Sequence, residues 1–237
     1  MNLHLKEIKM HNKRKVTSSE IHNELLNIFK IKHQIGSVEI KLGNISAKYN
    51  GKDAIGDLLQ EWLGKWFDSM NYFYRTKPNS QEFPDFLLSD RDDEGHLEIK
   101  TFNADASPAF DIANFDSYCT SLLDFPERLD ADYLILSYKM VASELRIDNV
   151  WLKKVWEISS PSGPNDIKVQ TKRGQIYNIR PCTWYSNKLK FQPFVSKLDF
   201  LNALAKTQQH YPQCNIYKNN WAQRVKDKYL KKTSAKL

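Results

Sequence analysis

Cysteine is scarce in this chain. Three occur among 237 residues, at Cys119, Cys182 and Cys214. They are odd in number and far apart, and no CxxC pair exists. That argues against a zinc ribbon or a disulfide framework and suits reduced thiols in a cytoplasmic protein. Long apolar runs are missing too. None approaches the ~20 residues a membrane span needs, and the first residues, MNLHLKEIKMHNKRKV, have no apolar stretch of the kind a secretory signal carries. The histidines (His4, His11, His22, His33, His96 and His210) never pair as HxxxH. Neither GxxxxGKS/T nor GxSxG occurs, so an ATP-driven motor and a serine-hydrolase elbow find no support. There is no internal repeat and no low-complexity tract.

What the chain does have is charge in blocks. The net charge is +7. Residues 1–50 carry 9 basic and 4 acidic side chains, residues 51–160 carry 11 and 21, and residues 161–237 carry 15 and 3. An acidic middle between basic ends suits a metal site held in a phosphate-binding cleft. The length supports one substantial core.

Periodicity sets the expected elements. Thr17–Ile31 reads as a helix capped by Ser18 or Ser19, and Ser37–Leu42 with Asn44–Tyr49 as a hairpin around Gly43. Asp53–Met70 is an amphipathic helix with Ile55, Leu58, Leu59, Trp62, Leu63 and Trp66 as its stripe. Two strands follow, Phe83–Leu88 and His96–Phe102, joined by the polar turn SDRDDEG. Tyr118–Leu123 reads as a short helix and Asp132–Met140 as the central strand, with Val150–Ile158 open between helix and strand. SSPSGPND at 159–166 is a loop, and short strands are expected at 168–170 and 175–179. Helices are expected at 194–208 and 219–231. The sum is a single α/β (α+β) domain over 1–237, a central mixed sheet flanked by helices. The catalytic core would lie within 50–140, and 160–237 would form a basic DNA-recognition and backbone-contacting region.

The segment FPDFLLSDRDDEGHLEIKTF concentrates the chemistry. Asp85 stands at the start of the first strand and Glu98 on the second, where adjacent antiparallel strands can set them side by side. Glu98 and Lys100 are two apart on one strand and face the same way, while Ile99 faces the core. Two carboxylates and a lysine form a set that hydrolysis of a phosphodiester can use. The carboxylates hold a divalent cation, and the lysine orients or deprotonates water or offsets developing charge. The plain alternative is a surface hairpin with a Glu–Lys pair.

These residues resemble the PD-(D/E)xK nucleases, which include most type II restriction endonucleases. The loop running into PDF, as KPNSQEFPDF, and the ending EIKTF are similar to the EcoRV-like group. DIANFDSYCTSL at 111–122 resembles the NlaIV/NgoBV group of restriction enzymes, which would imply a GGNNCC-like target. The resemblance implies that Asp85 and Glu98 bind metal together with the backbone carbonyl of Ile99, and that Lys100 is the catalytic lysine. It also implies a further acid from the preceding helix. Asp57 and Glu61 are both candidates, with Glu61 slightly favoured, and Gln60 can equally be read at that position. The implied cofactor is Mg²⁺, with Mn²⁺ able to substitute.

For DNA contact, Asn79, Ser80 and Gln81 sit where the EcoRV-like resemblance implies a minor-groove loop. RPCTWYSNKLK at 180–190 supplies Arg180, Thr183, Ser186, Asn187, Lys188 and Lys190 for the major groove. Arg224 and Lys228 on the last helix face phosphates. The expected activity is a homodimer that cuts both strands of a short palindrome in double-stranded DNA and leaves 5′-phosphates. A cognate DNA methyltransferase is expected in the same system without physical association. A repair or recombination nuclease of the same superfamily and a non-catalytic DNA-binding protein remain alternatives.

Overall fold

A computed structural model describes residues 13–49, 51, 54–79, 82–211 and 220–237. Its elements in chain order begin with helix α1 (Ser18–Asn27) and strands β1 (Ile35–Gly36), β2 (Glu39–Leu42) and β3 (Ile45–Lys48). Helix α2 (Ile55–Ser69) and strands β4 (Phe86–Leu87), β5 (His96–Asn103) and β6 (Ala113–Asn114) follow. Then come α3 (Phe115–Ser121), β7 (Asp132–Val141), β8 (Glu144–Lys154), β9 (Val169–Lys172), β10 (Gln175–Ile179), α4 (Lys197–His210) and α5 (Trp221–Thr233). They group into two compact units, Met1–Asp105 with Asp132–Leu152, and Ala106–Ala131 with Lys153–Leu237. The stretch 50–140 therefore contributes to both units.

The first unit is built on a five-stranded mixed sheet ordered β1-β8-β7-β5-β4. β5 and β7 run parallel from Leu97 opposite Asp132 to Asn103 opposite Tyr138, whereas β4–β5 and β1–β8 are antiparallel. Asp132–Val141 is the middle strand, as its apolar run implies, and Tyr133 through Tyr138 are all buried. Ala142 and Ser143 both take positive φ, the left-handed geometry a two-residue hairpin needs, and so turn β7 into β8. From α2, Ile55, Leu59, Leu63, Trp66 and Phe67 recur at helical spacing and pack on Phe86, Leu97, Ile99, Leu134 and Leu136. The buried stripe is rotated from the expected one, for Leu58 is exposed and Trp62 only partly buried.

The ends of α1 also correct the sequence reading. Thr17, not Ser18 or Ser19, caps the helix: its Oγ1 accepts from Glu20 N (3.2 Å), and Glu20 Oε2 accepts from Thr17 N (2.7 Å). Only Thr17 has a carboxylate three residues on to close this reciprocal pair. The helix stops at Asn27, four residues short of Ile31, because Lys30 takes a left-handed conformation and a short 3-10 turn, Ile31–His33, follows. β4 is two residues long, since Pro84 lacks the N–H that would extend the ladder.

In the second unit, β6, β10 and β9 form an antiparallel sheet with β10 in the middle. α3 starts at Phe115, three residues before the expected Tyr118, because the Asn114 side chain accepts from Ser117 N and caps it there. α4 starts at Lys197 rather than 194, capped by Ser196. Val150–Ile158 is both things, the end of β8 and then a 3-10 turn over Val155–Ile158. Trp221, fully buried on α5, donates its indole N–H to the Cys119 carbonyl (2.8 Å). Lys197 pairs with Asp130 (2.6 Å), whose other oxygen accepts from Tyr229 (2.7 Å). These contacts tie α4 and α5 to the segment 126–130.

Candidate active site

The polar turn between β4 and β5 fixes the register of both strands. Gly95 has a φ of +68°, and a Cβ there would sit 3.0 Å from the Ser89 nitrogen, so glycine is required. Leu88 N bonds the Gly95 carbonyl (2.8 Å), which closes the turn and sets Phe86 opposite Leu97. Asp85 lies one residue before β4. Where that short strand gives out, the Asp85 carboxylate takes over as acceptor, with Oδ2 2.7 Å from the N–H of Ile99.

Glu98 and Lys100 share one face of β5, as the two-residue spacing requires. Lys100 Nζ donates to Glu98 Oε1 (3.0 Å). Glu98 is 8% exposed, yet its second oxygen, Oε2, has no hydrogen-bond partner. Burial and the nearby negative charge of Glu98 push the Asp85 carboxyl up to about 7, partly opposed by the Ile99 N–H, the Lys100 ammonium and a hydrogen bond from the Gln60 side chain. The buried Glu98 and the half-buried Asp85 thus lie close enough to repel, with the Lys100 ammonium bonded to Glu98 and one Glu98 oxygen unsatisfied. That is an all-oxygen donor set with a deficit of positive charge, which fits a hard divalent cation that keeps part of its water shell. Among the described residues there is no cluster of three or more His, Cys, Asp or Glu side chains able to hold a metal.

On α2, Gln60 carries the side chain that reaches Asp85. Glu61, the next residue, is exposed and lines a pocket of about 230 Å³ with Gln60, Lys65, Tyr74 and Thr76. Asp57, nearly one turn earlier, is exposed. His96, two before Glu98, is taken up by structure: its Nε2 lies 2.8 Å from the Asp92 carbonyl and its ring meets Phe83 edge-on at 5.5 Å.

Two carboxylates and a lysine so placed could serve the hydrolysis of a phosphodiester. A family model described as NgoBV restriction endonuclease matches residues 15–237. The chain belongs to that family. It is 36% identical to the type II restriction enzyme NlaIV of Neisseria lactamica over 220 residues, 92% of this chain and 90% of that protein. It is 34% identical to the type II restriction enzyme NgoBV of Neisseria gonorrhoeae over 148 residues, 61% of this chain and 83% of that protein. The solved structure of the NlaIV restriction endonuclease superposes with a TM-score of 0.89 at 34% identity, covering 94% of this chain and 92% of the other. Membership of the NgoBV family makes the chain a type II restriction enzyme with the mixed sheet flanked by helices expected from its sequence.

The residues expected at DNA are distributed over both units of this NgoBV-family chain. Asn79, in the first unit, is exposed, and its carbonyl accepts from Glu82 N (3.0 Å); Ser80 and Gln81 lie outside the described residues. In the second unit Thr183 O accepts from Ser186 N (2.8 Å), and Ser186 Oγ accepts from Lys188 N (3.2 Å), so the chain turns and presents Asn187, Lys188 and Lys190 to solvent. Lys190 rests over Phe191. Arg180 is placed differently, because its guanidinium donates to Asp111 and to the Ala109 carbonyl. Nothing local in the sequence signals that partner, which is 69 residues away. Arg224 is exposed on α5, and Lys228 pairs with Asp124 at 3.5 Å.

Proposed function

We propose that the chain hydrolyses double-stranded DNA at a short palindrome, using Mg²⁺ (or Mn²⁺) held by Asp85, Glu98 and the Ile99 carbonyl, and leaves 5′-phosphates. The observation that carries this reading is the half-buried Asp85 beside the buried Glu98 with its unpartnered Oε2. When bound, the cation would supply the positive charge that a phosphodiester transition state needs on its non-bridging and leaving oxygens. The chain's own groups do the rest. Asp85 braces β5 at Ile99 and so fixes where Glu98 and Lys100 point. Lys100, held at 3.0 Å from Glu98, keeps an ammonium donor facing the same space. There it orients the attacking water and offsets charge on the phosphate.

Gln60 holds the position beside Asp85, so the set comprises two carboxylates and an amide, with Glu61 or Asp57 as the source of any third acid. Asn79, Ser80, Gln81, Thr183, Ser186, Asn187, Lys188 and Lys190 supply DNA contacts, Arg224 and Lys228 meet phosphates, and Arg180 shapes its loop through Asp111. Two copies, one per strand, would match a two-fold-symmetric target. The enzyme acts in the cytoplasm, with host DNA protected by a cognate methyltransferase. No helix among the described residues is long and apolar enough to cross a membrane.

The test is digestion of a sequenced, unmethylated phage DNA with Mg²⁺ and mapping of the ends. Discrete fragments with a common short palindrome, GGNNCC-like if the target follows the NlaIV/NgoBV resemblance, and ligatable 5′-phosphates are expected. Heterogeneous ends, or nicks only at branches and mismatches, would assign the fold to repair or recombination; DNA binding with no cutting would assign it to regulation.

A further inference from the structure

Helix α2 carries two glycines, and packing accounts for only one. A Cβ on Gly56 would come within 3.0 Å of Thr101 Oγ1, tighter than ordinary contact. A Cβ on Gly64 would meet nothing closer than the Phe86 ring and the Tyr74 hydroxyl, both at 3.7 Å. Alanine would therefore fit. Yet Gly64 lies well inside a 15-residue helix, where glycine is the weakest former after proline. What a side chain there would occupy is the polar pocket of about 230 Å³ that Gly64, Phe86 and Tyr74 line together.

That pocket adjoins the carboxylates. Along α2 it runs from Gln60, whose side chain reaches Asp85, and Glu61 to Lys65 one turn later. Thr76, exposed like Lys65, adds a hydroxyl. Glu61 and Lys65 stand four apart with the acid first, the order that favours an ion pair on a helix. No hydrogen bond or ion pair joins them, and Lys65 makes none with any other described residue. Asp68, three residues on, is held by Lys13 at 2.9 Å. The Lys65 ammonium is thus left for a ligand.

We infer that this pocket receives the DNA phosphate next to the one being cut, with Lys65 and Thr76 as its donors and Gly64 left bare to admit it. Phosphates follow one another along a strand, so a strand with one phosphate at Asp85 and Glu98 sets its neighbour beside Gln60. Lysine and hydroxyl side chains are ordinary partners of a backbone phosphate. The ammonium balances the single charge that a phosphodiester brings, and Glu61 is left at the pocket's other end, towards the cation. The volume lies below the ~300 Å³ at which pockets for drug-sized molecules begin, which suits one ionic group. The inference rests on the nuclease reading above and adds to it two residues, Gly64 and Lys65.

The test measures cutting by the full chain with Mg²⁺ on a duplex that carries its mapped target. Gly64→Ala and Lys65→Ala should each raise KM about tenfold, the loss of one hydrogen bond to a charged group, and leave kcat within about twofold. Gly64→Ala should at the same time melt about 2–4 °C higher than wild type. Replacing the phosphate beside the cut by an uncharged methylphosphonate should raise the wild-type KM equally and should not weaken Lys65→Ala further. Lys41→Ala, at an exposed lysine on β2, should behave as wild type. A Lys65→Ala with unchanged KM, or one whose loss multiplies with that of every methylphosphonate, overturns the inference and leaves the nuclease reading standing. So does a Gly64→Ala that is more stable and cuts with unchanged KM. If Gly64→Ala melts lower, the glycine has a packing role, and the coupling of Lys65→Ala to the methylphosphonates decides alone. A wild type that cuts no DNA overturns the nuclease reading, and this inference with it.

Discussion

The Asp85 carboxylate accepts the backbone N–H of Ile99 at 2.7 Å, and so holds by a side chain the strand that carries both Glu98 and Lys100. Under the proposed mechanism one residue thereby has two duties, metal ligand and splint for β5. They can be separated. Asp85→Asn keeps an oxygen to accept from Ile99 but loses the negative charge, whereas Asp85→Ala loses both. Both variants should cut DNA at least about 10³-fold more slowly. Only Asp85→Ala should lose stability, by about 1–3 kcal/mol, because it leaves a buried N–H without an acceptor. Steady-state cutting and chemical denaturation side by side check this, and equal stability of the two variants would count against the splint.

The raised Asp85 carboxyl makes stability depend on pH. It titrates at about 7 in the folded metal-free chain, against 3.8 ordinarily. Between those values the folded state holds a proton that the unfolded chain has released. The contribution is full below the unfolded value and is lost as pH rises through the folded one. At the proposed metal site Mg²⁺ would need the deprotonated carboxylate and would offset its repulsion with Glu98. The increase in Tm on adding Mg²⁺ should therefore be larger at pH 8 than at pH 5.5, and Asp85→Asn should abolish the difference. A wild-type shift that does not vary with pH would refute this.

Gln60 reaches Asp85 where a third carboxylate would complete an acidic cluster. Gln60→Ala should weaken Mg²⁺ binding about tenfold by freeing the Asp85 side chain. Gln60→Glu should tighten binding while lowering the metal-free Tm, since a third negative charge joins two that already repel. Calorimetric titration and thermal melts measure the two effects separately. Glu61→Gln, changed at the exposed neighbour, should move metal affinity less than Gln60→Ala does.

Arg180 and Lys188 stand on one loop and should behave differently. Lys188→Ala should leave Tm unchanged and reduce the slope of log K against log salt for DNA binding by about 0.9, the mark of one lost phosphate contact. Arg180→Ala should lower Tm, because it releases Asp111 and the Ala109 carbonyl. A Tm unchanged in Arg180→Ala would return Arg180 to the group of free DNA-contacting side chains.

The sequence made the site legible where its logic is local. Asp85, Glu98 and Lys100 are brought together by one hairpin whose glycine turn and alternating strands are written in adjacent residues. The β2–β3 hairpin around Gly43 and the middle position of β7 followed from pattern in the same way. The choice among Asp57, Gln60 and Glu61 did not, for it depends on the rotation of α2 on the sheet. That rotation is set by close packing, as where a Cβ on Gly56 would come within 3.0 Å of Thr101 Oγ1. Ends of helices shifted wherever a single cap decided them, at Thr17, Asn114 and Ser196. The anchoring of Arg180 by Asp111 joins residues far apart in the chain and leaves no periodic trace.

The most direct measurement of the site itself is an equilibrium titration of the full chain with Mn²⁺ at pH 8, without DNA, for wild type, Asp85→Asn, Glu98→Gln and Lys100→Met. Wild type should bind, Asp85→Asn and Glu98→Gln should lose at least tenfold in affinity, and Lys100→Met should still bind although it no longer cuts. Binding that survives unchanged in both carboxylate variants would contradict a metal centre at Asp85 and Glu98.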